Sequence, residues 1–330
     1  MVSAAHSTGR LAGTVTALGE STIDDAVDRA LDVSLFLLLA VLWGLSFPAI
    51  AVGLEYLPPL LFAAIRYDVA AVLLLCYAAL RTDDWIPHGR DNAAAIVGGG
   101  LFLVGGNGLL FVGQQTVPSG VASIIQALVP IFTALWALLL LGERLSSVGA
   151  VGVAVGFLGI GFVVQPDPNN LLAGDTAARL LIVLQVVSVS LGGVLVQRAG
   201  PTISRVPLTG WSMVVGAIVL HVVSLGAGES STSGATAPTA VAMVLYLGVF
   251  STAIAFLLYF TILEEHGAFE AGLVAYLVPI VATIVGVFVL GESITPLTII
   301  GFGLVAVGFA LLKRHAIVEV TGIASNVGRP

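Results

Sequence analysis

The chain has 330 residues, of which 58% are hydrophobic and only 9% are charged, whereas about a quarter of the residues in a soluble domain carry charge. This composition excludes a soluble globular protein and indicates a polytopic membrane protein. Lys and Arg total 12 against 19 Asp and Glu, a balance that argues against nucleic acid as a partner. The single cysteine, Cys76, excludes an intrachain disulfide.

The basic residues are almost all arginine, and Lys313 is the only lysine. An acidic, lysine-poor chain is what a high-salt cytoplasm favours, so a halophilic archaeon is the expected source. A GC-rich genome that encodes Arg in place of Lys is the alternative explanation.

Ten apolar segments follow a polar segment at residues 1–30, which lacks the features of a signal peptide and is expected to be cytoplasmic. Each segment has about the length that crosses a bilayer as a helix. Uninterrupted apolar runs lack the alternation of barrel strands, so the predicted fold class is all-α, with ten transmembrane helices and a short tail at 316–330. The predicted spans are 33–53, 59–80, 93–114, 119–141, 147–164, 177–197, 206–226, 239–262, 270–290 and 296–313.

The basic residues also indicate how these spans are oriented. With the N-terminus inside, ten Lys and Arg lie on the inner side, Arg179 alone lies outside, and Arg66 lies within a span. Cytoplasmic loops carry an excess of Lys and Arg. We therefore expect a multi-pass protein of the cytoplasmic membrane with both termini in the cytoplasm.

Two segments of the chain repeat at an offset of 149 residues. LVPIFTALWALLLLGERLS begins at Leu128, and YLVPIVATIVGVFVLGESIT begins at Tyr276. They form the fourth and ninth spans, which cross the membrane in opposite directions because the ninth is the fifth span after the fourth, an odd number. Residues 31–165 and 175–315 are therefore predicted to be two five-helix repeats of inverted topology, as in many secondary transporters. Glycines keep the same offset in the pairs Gly152–Gly301 and Gly159–Gly308.

A proline lies well inside each repeated span, at Pro130 and Pro279. Proline removes the hydrogen bond to the carbonyl four residues before it, which frees the carbonyls of Gln126 and Ala275. Free carbonyls at bilayer depth must face protein or a wet cavity, and Gln126 and Tyr276 supply polar side chains at this level. We expect these residues to line a substrate cavity; a packing kink is the alternative.

Arg66 and Asp68 are the most costly residues to place in a membrane, since a charge near the midplane costs about 2.5–3.5 kcal/mol on insertion scales. They lie two positions apart on one helix and therefore do not face each other. Arg66 is predicted to bind a carboxylate or phosphate of the substrate, and Asp68 is a candidate for ion or proton coupling. The alternative for both is a structural polar network.

Other polar and aromatic residues are weaker candidates. Trp43 would stack on a substrate ring and Asn107 would face the cavity, or each is a packing residue. Glu143 and Glu292 end the fourth and ninth helices just before the next helix begins. Because a helix dipole stabilises a carboxylate at a helix N-terminus, both are predicted to be structural residues that cap helix ends.

Several of these motifs together resemble a known family. LWGLSFPAI, which begins at Leu42, resembles the first-helix Trp-Gly motif of the drug/metabolite transporter (DMT) superfamily in its EamA branch. AAIRYDVAAVLLL, which begins at Ala63, is similar to its arginine-bearing second helix, and the two blocks that end in Leu-Gly-Glu are similar to its fourth and ninth helices. The resemblance covers 33–313 and implies a 5+5 inverted fold, a central cavity and alternating access.

The predicted function is secondary active transport of a small metabolite, such as an amino acid, nucleoside, sugar or drug-like compound, with export as the candidate direction. The expected partners are this substrate, the lipid bilayer, and H⁺ or Na⁺ as coupling ion. No cofactor, metal or catalytic residue is expected, and a monomer would suffice, although a dimer stays open. The alternatives are an intramembrane lipid-modifying enzyme and a nontransporting sensor or scaffold.

Overall fold

The structure is a computed structural model that describes residues 33–166, 174–229 and 234–314, without the side chains of 268–270. The predicted N-terminal segment and C-terminal tail lie outside these ranges. Within them the chain forms ten helices, numbered here α1 to α10, and no strand. Their bounds are α1 Val33–Gly53, α2 Pro59–Arg81, α3 Arg90–Gly113, α4 Ser119–Leu140, α5 Ser147–Val164, α6 Gly174–Ala199, α7 Arg205–Gly226, α8 Pro238–Glu265, α9 Ala268–Leu290 and α10 Pro296–Leu312.

Nine of the ten helices in the described ranges are long and apolar enough to cross a membrane, and α10, with 17 residues, is shorter. At a rise of 1.5 Å per residue α10 is about 26 Å long, slightly less than the roughly 30 Å of a hydrocarbon core. It packs along α5, which is almost equally short. The prediction of an all-helical membrane protein is confirmed.

Each helix of the first five has a counterpart five positions further along the chain. When every helix is replaced by its counterpart, the principal contacts between helices recur. Three helices pack on their own counterparts: α2 on α7, α4 on α9, and α5 on α10. Two further sets of contacts exchange with each other, since α3 packs on α6 and α7 while α8 packs on α1 and α2. These contacts are therefore equivalent in the two five-helix segments.

The seam between α5 and α10 consists of paired glycines. A Cβ on Gly152 would lie 2.5 Å from the Gly308 carbonyl oxygen, and a Cβ on Gly159 would lie 2.7 Å from that of Gly301. The two helices are therefore antiparallel, because the later residue of α5 meets the earlier residue of α10. Small residues let the two backbones approach this closely.

Two helices, α3 and α8, contain π-helical turns, over Gly99–Val104 and Tyr246–Ile254. Shifted by 149 residues, the first segment falls inside the second. Sequence patterns did not predict these turns. A π turn inserts an extra residue and is frequent at functional sites, so its presence at equivalent places in both halves directs attention to α3 and α8.

The Gly159→Ala variant is expected to destabilise the protein, because its methyl group would push against the backbone of α10. Overpacking of this kind costs about 1–3 kcal/mol, which thermal unfolding of the purified protein in detergent would measure. Gly161→Ala is the matched control, since a Cβ at Gly161 meets nothing within 4 Å. Equal melting temperatures for the two variants would contradict the packing of this seam.

Candidate functional site

Arg66 lies in the interior of α2, where only 8% of its surface is exposed. Its Nε donates a hydrogen bond of 2.8 Å to Oγ1 of Thr252 in α8. The Thr252 hydroxyl in turn donates to the carbonyl of Leu247, five residues earlier, at 2.6 Å. The π turn of α8 therefore holds the hydroxyl that fixes the arginine.

Aromatic rings, not carboxylates, surround the Arg66 guanidinium. Its Cζ lies 5.2 Å from the ring centroid of Tyr67 and 5.9 Å from that of Phe111, distances at which a cation is attracted to a ring face. Within the described ranges no carboxylate lies within 4.0 Å of Arg66. A guanidinium has five N–H groups. Among the described residues, only Thr252 accepts a hydrogen bond from one of them, the N–H on Nε. The other four are available to an anionic ligand.

Trp43, in α1, packs against α8 about one turn beyond Thr252, the residue that bonds to Arg66. Its ring centroid is 6.1 Å from that of Phe256 and 5.5 Å from that of Tyr259. Phe256 follows Thr252 by four residues, which is about 6 Å along a helix. Trp43 and Arg66 thus contact residues on neighbouring turns of α8, and the aromatic cluster holds the half-buried Trp43 in place.

Asn107 forms a second polar pair, between α3 and α6. Its Nδ2 donates to the carbonyl of Leu103 at 2.8 Å, and its Oδ1 accepts from Nε2 of Gln185 at 3.1 Å. Gln185 is completely buried, and its Oε1 has no partner among the residues the structure describes. Two amides therefore meet in the interior of the bundle, and Gln185 was not among the predicted residues.

The two predicted prolines act differently. Pro130 follows a break in α4 at Ala127, which separates Ser119–Gln126 from Val129–Leu140. The hydroxyl of Tyr276 donates to the Ala127 carbonyl at 3.4 Å. Pro279, in contrast, lies inside α9, which continues as one helix through it.

Gln126 lies directly before the break in α4. Its Oε1 is buried and has no hydrogen-bond partner in the described part of the chain. The segment Ser119–Gln126 packs on α9, and Tyr276 of α9 bonds to Ala127, the residue after Gln126. Whether Gln126, Tyr276 and the two prolines contact a substrate stays a prediction.

Asp68 lies on a different face of α2 from Arg66. Its Oδ2 is 2.7 Å from Nε2 of His221 in α7, and the two side chains are 49% and 39% exposed. The neighbouring residues Val72 and Val222 are 62% and 63% exposed. The Asp68–His221 pair therefore crosses the α2–α7 seam on the outer surface of the bundle, apart from the residues around Arg66.

Glu292 caps a helix, but not the one that follows it. Its Oε1 accepts hydrogen bonds from the backbone N–H and the hydroxyl of Ser119, at 2.9 and 2.8 Å, and so caps α4. The following helix, α10, is capped by Thr295, and α5 is capped by Ser146. Glu143 is exposed and accepts no hydrogen bond from any described residue.

The surroundings of the two glutamates differ at more than one position, and Ser119, the partner of Glu292, corresponds to Ala268. Gly291 adopts a left-handed conformation (φ 70°), and the Glu292 N–H donates to the Gly286 carbonyl at 2.9 Å. A Cβ on Gly286 would collide with the Glu292 carboxylate. The residue equivalent to Gly286 in the first half is Ala137. Ala137 thus carries the methyl group that Gly286 lacks.

A sequence model of the EamA-like transporter family matches residues 31–165 and 176–314. The chain belongs to the EamA-like transporter family. The inner membrane transporter YedA of Escherichia coli (strain K12) is 30% identical over 275 residues, which are 83% of this chain and 88% of YedA.

Further relatives extend the comparison of this EamA-like transporter. A transporter of Archaeoglobus fulgidus is 28% identical over 284 residues, 84% of this chain and 96% of its own length. A probable terminal-alkyne amino-acid exporter of Streptantibioticus cattleyicolor is 30% identical over 285 residues, 85% and 92% of the two chains. One solved structure matches with a TM-score of 0.59 at 18% identity, over 86% and 96% of the chains; this likeness concerns the fold alone.

Thr252→Val is expected to destabilise this EamA-like transporter, because it leaves Nε of the buried Arg66 without an acceptor. An unsatisfied buried donor costs about 1–3 kcal/mol, which thermal unfolding in detergent would measure. Thr261→Val is the control, because Thr261 is an exposed residue of the same helix that bonds to the carbonyl of Leu257. A Thr252→Val variant as stable as the control would contradict the Arg66–Thr252 bond.

Proposed function

We propose that this EamA-like transporter is a secondary active carrier that moves a small metabolite across the cytoplasmic membrane by alternating access. The observation that carries the proposal is the buried Arg66 guanidinium, with four N–H groups that no described residue accepts. Holding a cation at membrane depth is costly, and such residues mark substrate pathways in membrane proteins. Thr252 and two aromatic rings hold Arg66 without neutralising its charge.

A carboxylate-bearing substrate fits Arg66 best, because a guanidinium binds a carboxylate through two parallel hydrogen bonds. The Streptantibioticus relative is named a probable amino-acid exporter. We therefore place amino acids first among the substrates to test and export first among the directions. Trp43 of α1, which packs on Phe256 one turn of α8 beyond Thr252, would contact the side chain of such a substrate.

The repeated halves support alternating access. Inverted repeats form two exchangeable states when the halves are similar but adopt different conformations. Here Ser119 and Glu292 join α4 to α9 at one end of the bundle, whereas Glu143, the counterpart of Glu292, is exposed. We propose that the Glu292 end is the closed end in this conformation. In the orientation expected from the basic residues, this end faces outward and both termini face the cytoplasm.

Arg66→Ala is expected to reduce amino-acid flux by about tenfold or more, since a charge-assisted bidentate contact is lost. The measurement is counterflow of a mixture of radiolabelled amino acids in liposomes that contain the purified protein. Arg81→Ala is the control, because Arg81 lies exposed at the end of α2. Arg66→Lys, which keeps the charge, provides a second variant if Arg66→Ala fails to fold. Unchanged flux in a folded Arg66→Ala variant would remove Arg66 from the site.

Gly286→Ala is expected to open the closed end, because the added methyl group displaces the Glu292 carboxylate from Ser119. In a Cys76→Ser background, Gln126→Cys reports access from this end through its rate of reaction with a membrane-impermeant maleimide. The rate should rise severalfold in the Gly286→Ala variant. Gly272→Ala is the control on the same helix, since a Cβ there meets nothing within 4 Å. Equal rates in both variants would contradict the closing role of Glu292.

A further inference from the structure

The Asp68–His221 pair lies within the membrane-spanning part of the bundle, and no step of the proposed transport uses it. Asp68 is nine residues from Pro59, where α2 begins, which is about 14 Å along the helix axis. This distance is nearly half of the roughly 30 Å of a hydrocarbon core. His221 lies at a similar depth, because its Nε2 is 2.7 Å from Oδ2 of Asp68. The pair is therefore in the hydrocarbon region and not at the level of the lipid head groups.

Both side chains of the pair are on the outside of the bundle. They are substantially exposed, and the neighbouring residues Val72 and Val222 are more exposed still. Ionisable residues within spans almost always face the bundle interior or a water-filled cavity, because lipid chains offer no hydrogen bonds. The position of this pair therefore indicates that protein, and not lipid, covers the seam between α2 and α7.

The pair offers one hydrogen-bond donor and one acceptor to whatever covers it. At this depth it is least costly without a net charge, so it holds one proton between Oδ2 of Asp68 and Nε2 of His221. With the proton on either atom, Nδ1 of His221 carries a hydrogen and Oδ1 of Asp68 is an acceptor. Neither Nδ1 nor Oδ1 has a hydrogen-bond partner among the described residues, and Nδ1 is not buried.

We propose that the α2–α7 seam is the interface of a twofold-symmetric dimer with a second copy of this chain. Two copies inserted in the same direction are related by an axis along the membrane normal, so that an interface of this kind joins groups at equal depth. Asp68 and His221 are at similar depth, and an axis beside the seam therefore places each of them next to its opposite in the other copy. Nδ1–H of each His221 then donates to Oδ1 of Asp68 in the other copy. The seam is thus complementary to itself, which a lipid chain is not.

The surroundings of the pair are consistent with contact between helices in a membrane. In lipid, helices associate through close packing and interhelical hydrogen bonds. The proposed dimer has two such hydrogen bonds, and the exposed side chains of Val72 and Val222 lie beside them. Arg66 lies on a different face of α2, so each copy keeps its own interior site. The dimer is therefore independent of the proposed transport function.

The test measures distances between spin labels in liposomes at a low ratio of protein to lipid. Cys76 is the only cysteine of the chain, and it is exposed on α2 about two turns beyond Asp68. One label per copy gives a distance only when two copies associate, and we expect a defined distance from labelled Cys76. Val151→Cys in a Cys76→Ser background places the label on exposed Val151 of α5 instead. We expect a longer distance there, because α5 is not part of the proposed interface.

The double variant Asp68→Leu/His221→Leu removes both polar groups and leaves no unpaired one in lipid, so it is expected to fold. Loss of two interhelical hydrogen bonds should raise the dissociation constant of the dimer about tenfold or more. Dilution of the protein in lipid measures this constant through the loss of the spin–spin signal. Thr261→Leu is the control, because it removes an exposed hydroxyl from α8 and should leave the constant unchanged.

Three results would overturn the proposal. The first is labelled Cys76 without a spin–spin distance, since the protein would then be a monomer whose pair faces lipid. The second is an unchanged dissociation constant in the folded double variant. The third is a shorter distance between labels on α5 than between labels on Cys76, which would place the interface elsewhere. None of these results depends on Arg66, whose role is tested by flux.

Discussion

A backbone carbonyl in the hydrocarbon core of a bilayer has no water to bind, so any irregular turn there needs a partner from the protein. Three irregular turns in the described ranges have such a partner. The Ser188 hydroxyl donates to the Phe102 carbonyl within the π turn of α3, at 2.8 Å. Thr252 does the same for α8, and the Tyr276 hydroxyl does so for the break in α4. This requirement determines where polar side chains occur inside the bundle.

The same polar side chains build the candidate site. Thr252 donates to its own π turn and accepts from Arg66, so the distortion of α8 and the position of the arginine depend on one hydroxyl. Asn107 lies at the end of the distorted part of α3, where it meets Gln185. The groups that could contact a substrate are therefore located where the helices depart from regular geometry. A bundle of ten regular helices would have neither the free backbone carbonyls nor the polar side chains that bond to them.

The apolar runs predicted the ten helices because the length of a spanning helix is set by the bilayer. The offset of 149 residues related Gly152 to Gly301 and Gly159 to Gly308 as equivalent positions. The structure places these four glycines at the α5–α10 seam, where Gly152 meets Gly308 and Gly159 meets Gly301. The sequence also indicated Arg66 as a buried charge. Its partner, Thr252, is 186 residues away, and no local pattern relates the two. The π turn of α8 was equally hidden, since its sequence, Tyr246–Ile254, contains no proline.

The prolines show why a repeated motif need not give a repeated structure. A break in α4 is tolerated because Tyr276 donates to the Ala127 carbonyl. Ala127 is itself the residue equivalent to Tyr276, and its methyl group cannot donate to α9 in return. Opening α9 at Pro279 would leave its carbonyls without a donor, so α9 stays continuous. The local structure at one copy of the motif therefore depends on the residues of the other half that contact it.

The exchange of Gly286 for Ala137 between the halves has an energetic consequence for any carrier built on this plan. Two identical halves would make the two orientations of the empty protein equal in free energy, and each would be populated half of the time. In the proposed carrier the halves differ here, since Glu292 folds back onto Ser119 and Glu143 is exposed, so the two orientations need not be equal in free energy. The proposed carrier without substrate would then be open mainly at the Glu143 end, and this preference would not depend on the direction of transport.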